Sequence, residues 1–368
     1  MTGAGTIIPF LTSFVLGLFF TPLAIGMAVR WKICEKPNGR TCREIAHIGG
    51  AAIIGSIVFA LMPAFLFFLP HNLLNQVFLP ILIASGFLVF LLGIIDDLRS
   101  LHYIYKLFFQ IAVSVFVSAG GVGLLEHFGL THMSLPTSFA AFGLAALWML
   151  MITTSFNLID GLDGLASGIA VISASAFMIA GYVFGLEIVV ALSAVLLGAM
   201  LAFLRYNFPP ARIFMGDSGS LFLGLMFGLI SLLLIIPGRD IFFRICGCVI
   251  VLSIPLMDTA LAFLRRILTG RPPFEADHMH LHHILLYRLK SMRNVDYFLW
   301  SASAIFAALG LLTMMASLHA MAVALLLEIS FFGFSLREMV HFDIPLEKIE
   351  ELLENSQIKP SPAVPRKN

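Results

Sequence analysis

The chain of 368 residues has little charge: Asp, Glu, Lys and Arg make up only 12% of it, whereas 60% of the residues are hydrophobic. Since an ordinary soluble domain carries about 25% charged residues, this composition excludes a typical soluble enzyme and predicts a polytopic membrane protein. The net charge of +1 provides no basic stripe for nucleic acid. The four cysteines show no zinc-ribbon spacing, and we interpret all of them as reduced thiols.

Long apolar runs define the predicted fold. A membrane-spanning helix needs about 20 apolar residues, and eleven segments qualify: 6–29, 48–70, 78–95, 107–125, 139–156, 165–184, 186–204, 220–236, 243–264, 296–317 and 319–335. The first segment lacks the basic start and cleavage site of a signal peptide. We predict an all-α polytopic membrane protein with about 11 transmembrane helices. Residues 1–336 form one domain, and residues 337–368 form a cytoplasmic tail that begins as an amphipathic helix and becomes disordered.

Lys and Arg are unevenly divided between the two sides of the predicted membrane. With eleven spans, the loops after odd-numbered spans and the tail hold 20 of the 22 Lys and Arg residues. Because cytoplasmic loops carry the excess of these residues, we predict the N-terminus outside and the C-terminus in the cytoplasm. Four polar motifs then face the cytoplasm together, as one active site requires, whereas a transporter more often places its charges near the midplane.

Two of these motifs carry paired carboxylates. "GIIDDLRS" ends the third span with the adjacent Asp96 and Asp97, which can hold Mg²⁺ or supply a base; a solvated helix end is the alternative. "FNLIDGLDGLASG" contains Asn157 and then Asp160 and Asp163, three residues apart. Its glycines allow the backbone to approach a ligand closely, and a helix-breaking loop with capping aspartates is the alternative.

The third motif, "RYNFPPARIFMGDSGS", brings together Arg205, Asn207, Phe214 and Asp217 just before an apolar run. Backbone N–H groups at such a helix start favour phosphate. Asp217 acting only as an N-cap is the alternative.

The fourth motif, "GRPPFEADHMHLHHILL", carries Arg271 and four histidines, of which His280, His282 and His283 lie closest together. Zinc binding, contacts to a diphosphate and a solvated loop are the three interpretations, and the absence of nearby cysteines weakens the first. Carboxylates, arginines and histidines at one membrane face suit Mg²⁺-assisted phosphoryl transfer from a soluble donor to a lipid.

In this order, "DDL", "NLIDGLDGLA", "FMGDSGS" and "DHMHLHH" resemble the motifs of the polyprenyl-phosphate N-acetylhexosamine-1-phosphate transferases of glycosyltransferase family 4, over about residues 30 to 290. The resemblance implies that a UDP-N-acetylhexosamine gives its sugar 1-phosphate, most readily N-acetylglucosamine 1-phosphate, to undecaprenyl phosphate with release of UMP. This step starts O-antigen, common-antigen or teichoic acid synthesis at the cytoplasmic face of the bacterial inner membrane, with the N-terminus periplasmic. Mg²⁺ is the implied cofactor, with Mn²⁺ as its substitute, and a homodimer is expected.

The resemblance also implies roles for single residues. Asp96 would be the base acting on the lipid phosphate beside Asp97, and Lys106 would lie near that phosphate. Phe214 would stack on uracil, and Asp217 would bind Mg²⁺ together with Asp97. By the same resemblance, Asn157, Asp160 and Asp163 would lie on the nucleotide side, and His280, His282 and His283 would contact the diphosphate. The motifs themselves, rather than the resemblance, suggest Arg205, Asn207 and Arg271 as further residues that bind the anionic substrate.

Some features favour other interpretations. The phospho-N-acetylmuramoyl-pentapeptide transferases are the neighbouring branch, but they show three consecutive histidines and ten spans. After "EKPNGR" the chain departs from the family pattern, with His47 where Pro-Arg is expected, which bears on the choice of donor. A CDP-alcohol phosphotransferase would need D-G-x-x-A-R. An anionic-lipid transporter or flippase would use ionisable residues inside spans, and Asp258 and Glu328 are two such residues. Asp258, however, precedes Arg265 by two turns, which would place it near the cytoplasmic end of its span and close to the site.

Overall fold

The structure is a computed structural model that describes residues 3–31, 33–35, 45–67, 73–99, 101–127, 135–235, 240–268, 270 and 280–341. Over these residues it is nearly all helical. The helices are α1 (Gly3–Trp31), α2 (Gly49–Phe67), α3 (Leu73–Arg99), α4 (Tyr103–His127), α5 (Leu135–Ile159), α6 (Leu165–Val183), α7 (Glu187–Asn207), α8 (Gly216–Ile235), α9 (Ile241–Val251), α10 (Ser253–Leu268), α11 (Leu281–Leu289), α12 (Met292–Met314) and α13 (Leu318–His341).

Eight of the described helices are long and apolar enough to cross a membrane, or nine if α9 and α10 are taken together as one bent span. The helices α2 and α4, in the predicted spans 48–70 and 107–125, contribute only the shorter apolar stretches Gly49–Pro63 and Tyr103–Ala119. The polytopic membrane class is therefore confirmed. The count of eleven spans and the orientation stay predictions, and the tail from residue 342 onward lies outside the described residues.

The segment predicted as one span over 243–264 is broken, which corrects that prediction. Its two parts, α9 and α10, meet at Leu252 and are bent by 73°. Pro255 explains the break, because a proline inside a helix has no N–H to donate and its ring clashes with the carbonyl four residues earlier. That carbonyl belongs to Val251, where α9 ends. The bend leaves α10 and its polar residues free to lie beside the end of the helix bundle.

A small antiparallel hairpin also departs from the predicted all-α fold. Its strands are β1 (Cys34–Glu35) and β2 (Ile45–Ala46), paired Cys34 to Ala46 and Glu35 to Ile45. Ala46 also forms a parallel bridge with Ile213, just before α8. The hairpin therefore ties the start of the chain to the segment that carries the third polar motif.

Helix α8 lies at the centre of the bundle, and 89% of the residues in its apolar stretch are buried. Helices α3 and α5 pack directly on it, and α4 packs on both of them. Glycine makes one of these approaches possible: a Cβ on Gly93 of α3 would lie 2.2 Å from the Cα of Ser218 on α8. The polar start of α8 consequently lies against the polar ends of α3, α4 and α5.

Candidate active site

A lysine bridges two carboxylates where α3, α4 and α8 meet. Lys106, in the first turn of α4, has its Nζ 2.8 Å from Asp96 Oδ2 and 2.8 Å from Asp217 Oδ2. The other oxygen of Asp96, Oδ1, accepts the backbone N–H of Leu101 at 2.6 Å. Asp96 is only 7% exposed, and each of its oxygens has a partner. Three residues predicted from separate motifs therefore form one contact group.

Asn157 fixes the other side of Asp217. Its Nδ2 donates to Asp217 Oδ1 at 2.5 Å and lies 2.9 Å from Ser220 Oγ. One carboxylate oxygen of Asp217 thus accepts a hydrogen bond from Lys106, and the other accepts one from Asn157. The aspartate that was predicted to bind a metal is held in a single orientation, which is what a precise ligand position needs.

Asp97 caps the central helix from outside it. Its Oδ1 accepts the N–H of Asp217 at 2.7 Å, and its Oδ2 accepts the N–H of Ser218 at 3.2 Å and the Ser218 hydroxyl at 2.8 Å. The first N–H groups of a helix have no partner inside it, and a carboxylate there is also favoured by the helix dipole. Asp97 therefore positions Asp217. A carboxylate has about four lone-pair sites, so one acceptor position on Oδ1 remains.

Asp160 lies just after α5 and faces the other acids. Burial away from water raises its pKa well above the ordinary value, and the nearby charges of Asp217, Asp97 and Asp163 raise it further. Asp96, Asp97 and Asp217 are three carboxylates around a single lysine, Lys106, and this excess favours an added cation. Among the described residues, no three carboxylate, imidazole or thiol groups converge into a preformed metal cage. Mg²⁺ commonly binds through only one or two carboxylates plus water and substrate phosphates, so this oxygen-donor set fits it.

Asp163 and Asn207 lie in the protein interior, where they support the loop between α7 and α8. Asp163 Oδ2 accepts the N–H of Ala211 at 2.8 Å. Asn207 Oδ1 accepts from the Gly164 backbone N–H and from Ser167 Oγ. The sequence motifs suggested substrate contacts for both Asp163 and Asn207. Their contacts instead join the DGLDG loop, residues 160–164, to the segment that leads into α8.

The histidines lie against the DGLDG loop. His282 is fully buried, and a Cβ built on Gly161 would be 2.2 Å from its Nε2. The ring of His282 stacks on that of His280, with centroids 5.4 Å apart, and contacts the ring of His283 at 4.2 Å. Burial lowers the pKa of His282, as does the charge of His280, while Asp258 opposes this shift. The second and fourth predicted motifs therefore share one region.

Asp258 on α10 is the buried acid beneath these histidines. Its Oδ2 lies 2.9 Å from His280 Nδ1, and its Oδ1 accepts the N–H of Leu281 at 2.8 Å. The sequence placed Asp258 near the site only through its spacing from Arg265. Its partner could not be read from the sequence, because His280 lies 22 residues later in the chain.

Phe214 and His47 lie side by side at the edge of the acidic group, which consists of Asp96, Asp97 and Asp217. Their rings meet edge to face at 6.2 Å, and His47 Nε2 is 3.9 Å from Asp97 Oδ1. The backbone holds this arrangement, since Phe214 N–H donates to Ala46 O and Gly49 N–H donates to Phe214 O. His47, noticed in the sequence only as a departure from a pattern, is thus a neighbour of the paired aspartates.

Of the predicted residues that the structure describes, Arg205 is not brought into this group. Arg205, in the last turn of α7, is exposed, and it makes no hydrogen bond or ion pair with any other residue of the described ranges. Arg271 lies outside the described residues, as do Asp277 and His278. Their proposed roles stay predictions.

Comparison with known proteins gives a consistent set of relatives. The chain is 32% identical over 290 residues to the probable undecaprenyl-phosphate N-acetylglucosaminyl 1-phosphate transferase of Bacillus subtilis (strain 168), covering 76% of this chain and 77% of the relative. It is 30% identical over 337 residues to the decaprenyl-phosphate N-acetylglucosaminephosphotransferase of Mycolicibacterium smegmatis, covering 81% and 80%. It is also 30% identical over 279 residues to the phospho-N-acetylmuramoyl-pentapeptide-transferase of Staphylococcus aureus (strain JH9), covering 72% and 83%.

A family match covers the same part of the chain as the acidic site. Residues 79–235 match glycosyl transferase family 4, and this range contains Asp96, Asp97, Asp160 and Asp217. The predicted family is therefore confirmed: on its motifs, its site geometry and its relatives, the chain belongs to glycosyl transferase family 4.

Proposed function

We propose that the protein transfers N-acetylhexosamine 1-phosphate, with N-acetylglucosamine as the favoured sugar, from a UDP-sugar to undecaprenyl phosphate. The Bacillus and Mycolicibacterium relatives are named for transfer of this kind to polyprenyl phosphates. The observation that carries the proposal is the ammonium of Lys106 held between Asp96 and Asp217 at the ends of apolar helices. A cation among ordered carboxylates suits phosphoryl transfer, whose catalysis consists mainly of positioning and charge stabilisation.

In the proposed reaction, an oxygen of the lipid phosphate attacks the phosphorus that bears the sugar. A new P–O bond forms, the bond from that phosphorus to the bridging oxygen breaks, and UMP leaves. Asp96 takes or orients the proton of the lipid phosphate, because Leu101 and Lys106 hold its carboxylate in one place. Lys106 pairs with the negative charge of the phosphate, which requires only a small displacement of its flexible side chain.

We assign Mg²⁺ to Asp217, with the remaining acceptor position of Asp97 as the second contact. When bound, Mg²⁺ would neutralise charge on the transferred phosphoryl group. Asn157 and Asp97 keep Asp217 in orientation, and Phe214 offers its half-buried ring for stacking on uracil. The excess of Lys and Arg in one set of loops supports a site on the cytoplasmic face of the inner membrane.

A UMP-release assay with purified protein, undecaprenyl phosphate and a panel of UDP-sugars tests the proposal. We expect UMP with UDP-N-acetylglucosamine and Mg²⁺, reduced release with Mn²⁺, and none with a chelator. UMP only with UDP-N-acetylmuramoyl-pentapeptide would instead assign the peptidoglycan branch. No UMP with any donor would refute the transferase, and lipid flipping in vesicles without UMP would favour the transporter alternative.

A further inference from the structure

The start of α11 depends on a carboxylate from another helix. His280 is the N-cap residue of α11, and its side chain makes no capping hydrogen bond. The N–H of Leu281 is instead accepted by Asp258 of α10, at 2.8 Å. Such N–H groups at the start of a helix lack partners inside the helix, so Asp258 supplies the missing acceptor from 23 residues away.

The same carboxylate reaches the ring of His280. Its Oδ2 lies 2.9 Å from His280 Nδ1. His280 is only 4% exposed, and Asp258 is completely buried. An ionised carboxylate only accepts hydrogen bonds, so the imidazole must carry its proton on Nδ1. The proton on Nδ1 fixes the tautomer and the ring orientation, as in other sites where a carboxylate orients a histidine.

Stacking of the histidine rings connects Asp258 to the DGLDG loop. The ring of His280 stacks on that of His282 at an interplanar angle of 10°, and Nε2 of His282 abuts Gly161. Asp258 Oδ1 lies 3.7 Å from His282 Nδ1. A single buried carboxylate therefore lies within 4 Å of two histidines beside the DGLDG loop.

We propose that Asp258 is a positioning residue for this transferase, which orients His280 through Nδ1 and thereby sets the histidines against the donor. The inference rests on the proposed function for its catalytic consequence, but the tautomer of His280 can be measured without turnover. Asp258→Asn is the sharpest perturbation, because the amide can still accept the N–H of Leu281 through its oxygen. Its NH₂ group would face the ring and favour the tautomer with the proton on Nε2.

The first arm of the test is nitrogen NMR of histidine-labelled protein in nanodiscs, with the signals of His280 identified by their loss in His280→Ala. We expect a protonated Nδ1 in the wild type and its loss in Asp258→Asn. An unprotonated Nδ1 in the wild type, or no change in the variant, would overturn the proposal. This arm decides the inference even if no UDP-sugar proves to be a donor, which would count against the proposed function alone.

The second arm is a double-mutant cycle on kcat for UMP release. Asp258→Asn is expected to lower kcat about 10- to 100-fold, as loss of a carboxylate that orients a functional histidine commonly does. The double variant with His280→Ala should be no slower than His280→Ala alone, because both changes remove the same function. Losses that multiply would show that Asp258 acts independently of His280. Thr259→Val, the neighbouring position on α10, is the matched control and should keep full activity.

Discussion

The contact between Gly161 and His282 allows a test that adds one methyl group and removes no functional group. A Cβ at Gly161 would lie 2.2 Å from His282 Nε2, whereas ordinary contacts begin near 3.4 Å. The imidazole must therefore retreat by about 1 Å, and a misplacement of that size can reduce turnover about 100-fold. Since the ring is fully buried and stacked on its neighbours, overpacking should also cost about 1–3 kcal/mol of stability.

The measurement is kcat for UMP release by Gly161→Ala, with thermal unfolding in detergent as the check on folding. Gly143→Ala on α5 is the control, because no atom lies within 4 Å of its added Cβ. The control should keep full activity and gain up to about 1 kcal/mol from helix propensity. If Gly161→Ala stays within twofold of Gly143→Ala, then the placement of His282 does not matter for turnover and the reasoning fails.

Four further predictions concern the acids and their support. Asp217→Ala should abolish UMP release, and substantial remaining turnover would show that Asp217 is not a metal ligand; Asp96→Asn should be nearly inactive but bind donor normally in calorimetry. Asn207→Ala should lower the free energy of unfolding by about 2–4 kcal/mol, because it leaves buried partners unsatisfied, and should leave the KM for donor unchanged. Asp160→Asn should raise the thermal unfolding temperature without metal. Because the pKa of Asp160 is raised in the folded state, its burden on stability grows as pH rises above the unfolded-state pKa, so the gain should be larger at pH 8 than at pH 4.

Much of the helical framework could be predicted from hydropathy alone. The break between α6 and α7, only a few residues long, was expected at Gly185, and that residue has φ +69°, which favours glycine. The bend at Leu252 was not expected, because 243–264 is mostly apolar and a hydropathy window cannot detect a change of direction. Only Pro255 carried that information, and a proline in the first turn of a helix is equally compatible with a simple helix start.

The candidate site shows a similar division. Motif order predicted that the acids would meet, and the contacts of Lys106 with Asp96 and Asp217 agree with that expectation. Sequence patterns did not separate residues that face a ligand from residues that support the loop, because both are polar. Asp163 and Asn207 accept backbone hydrogen bonds in the interior, and Asp258 contacts His280, which lies 22 residues later in the chain. Such long-range pairings depend on the packing of whole helices and leave no local spacing to detect.

The tie between the β2 segment and the start of α8 has a consequence for biogenesis. Gly50 N–H donates to Met215 O. The ribosome therefore adds the acceptor of this hydrogen bond 165 residues after its donor. Contacts this distant in sequence close slowly, because the intervening chain must first be ordered. The group of Asp96, Asp97 and Asp217 can therefore form only after α8 has entered the membrane. A nascent chain that stops before α8 has the paired aspartates but lacks Asp217 and the helix start that Asp97 caps, so it cannot assemble this group.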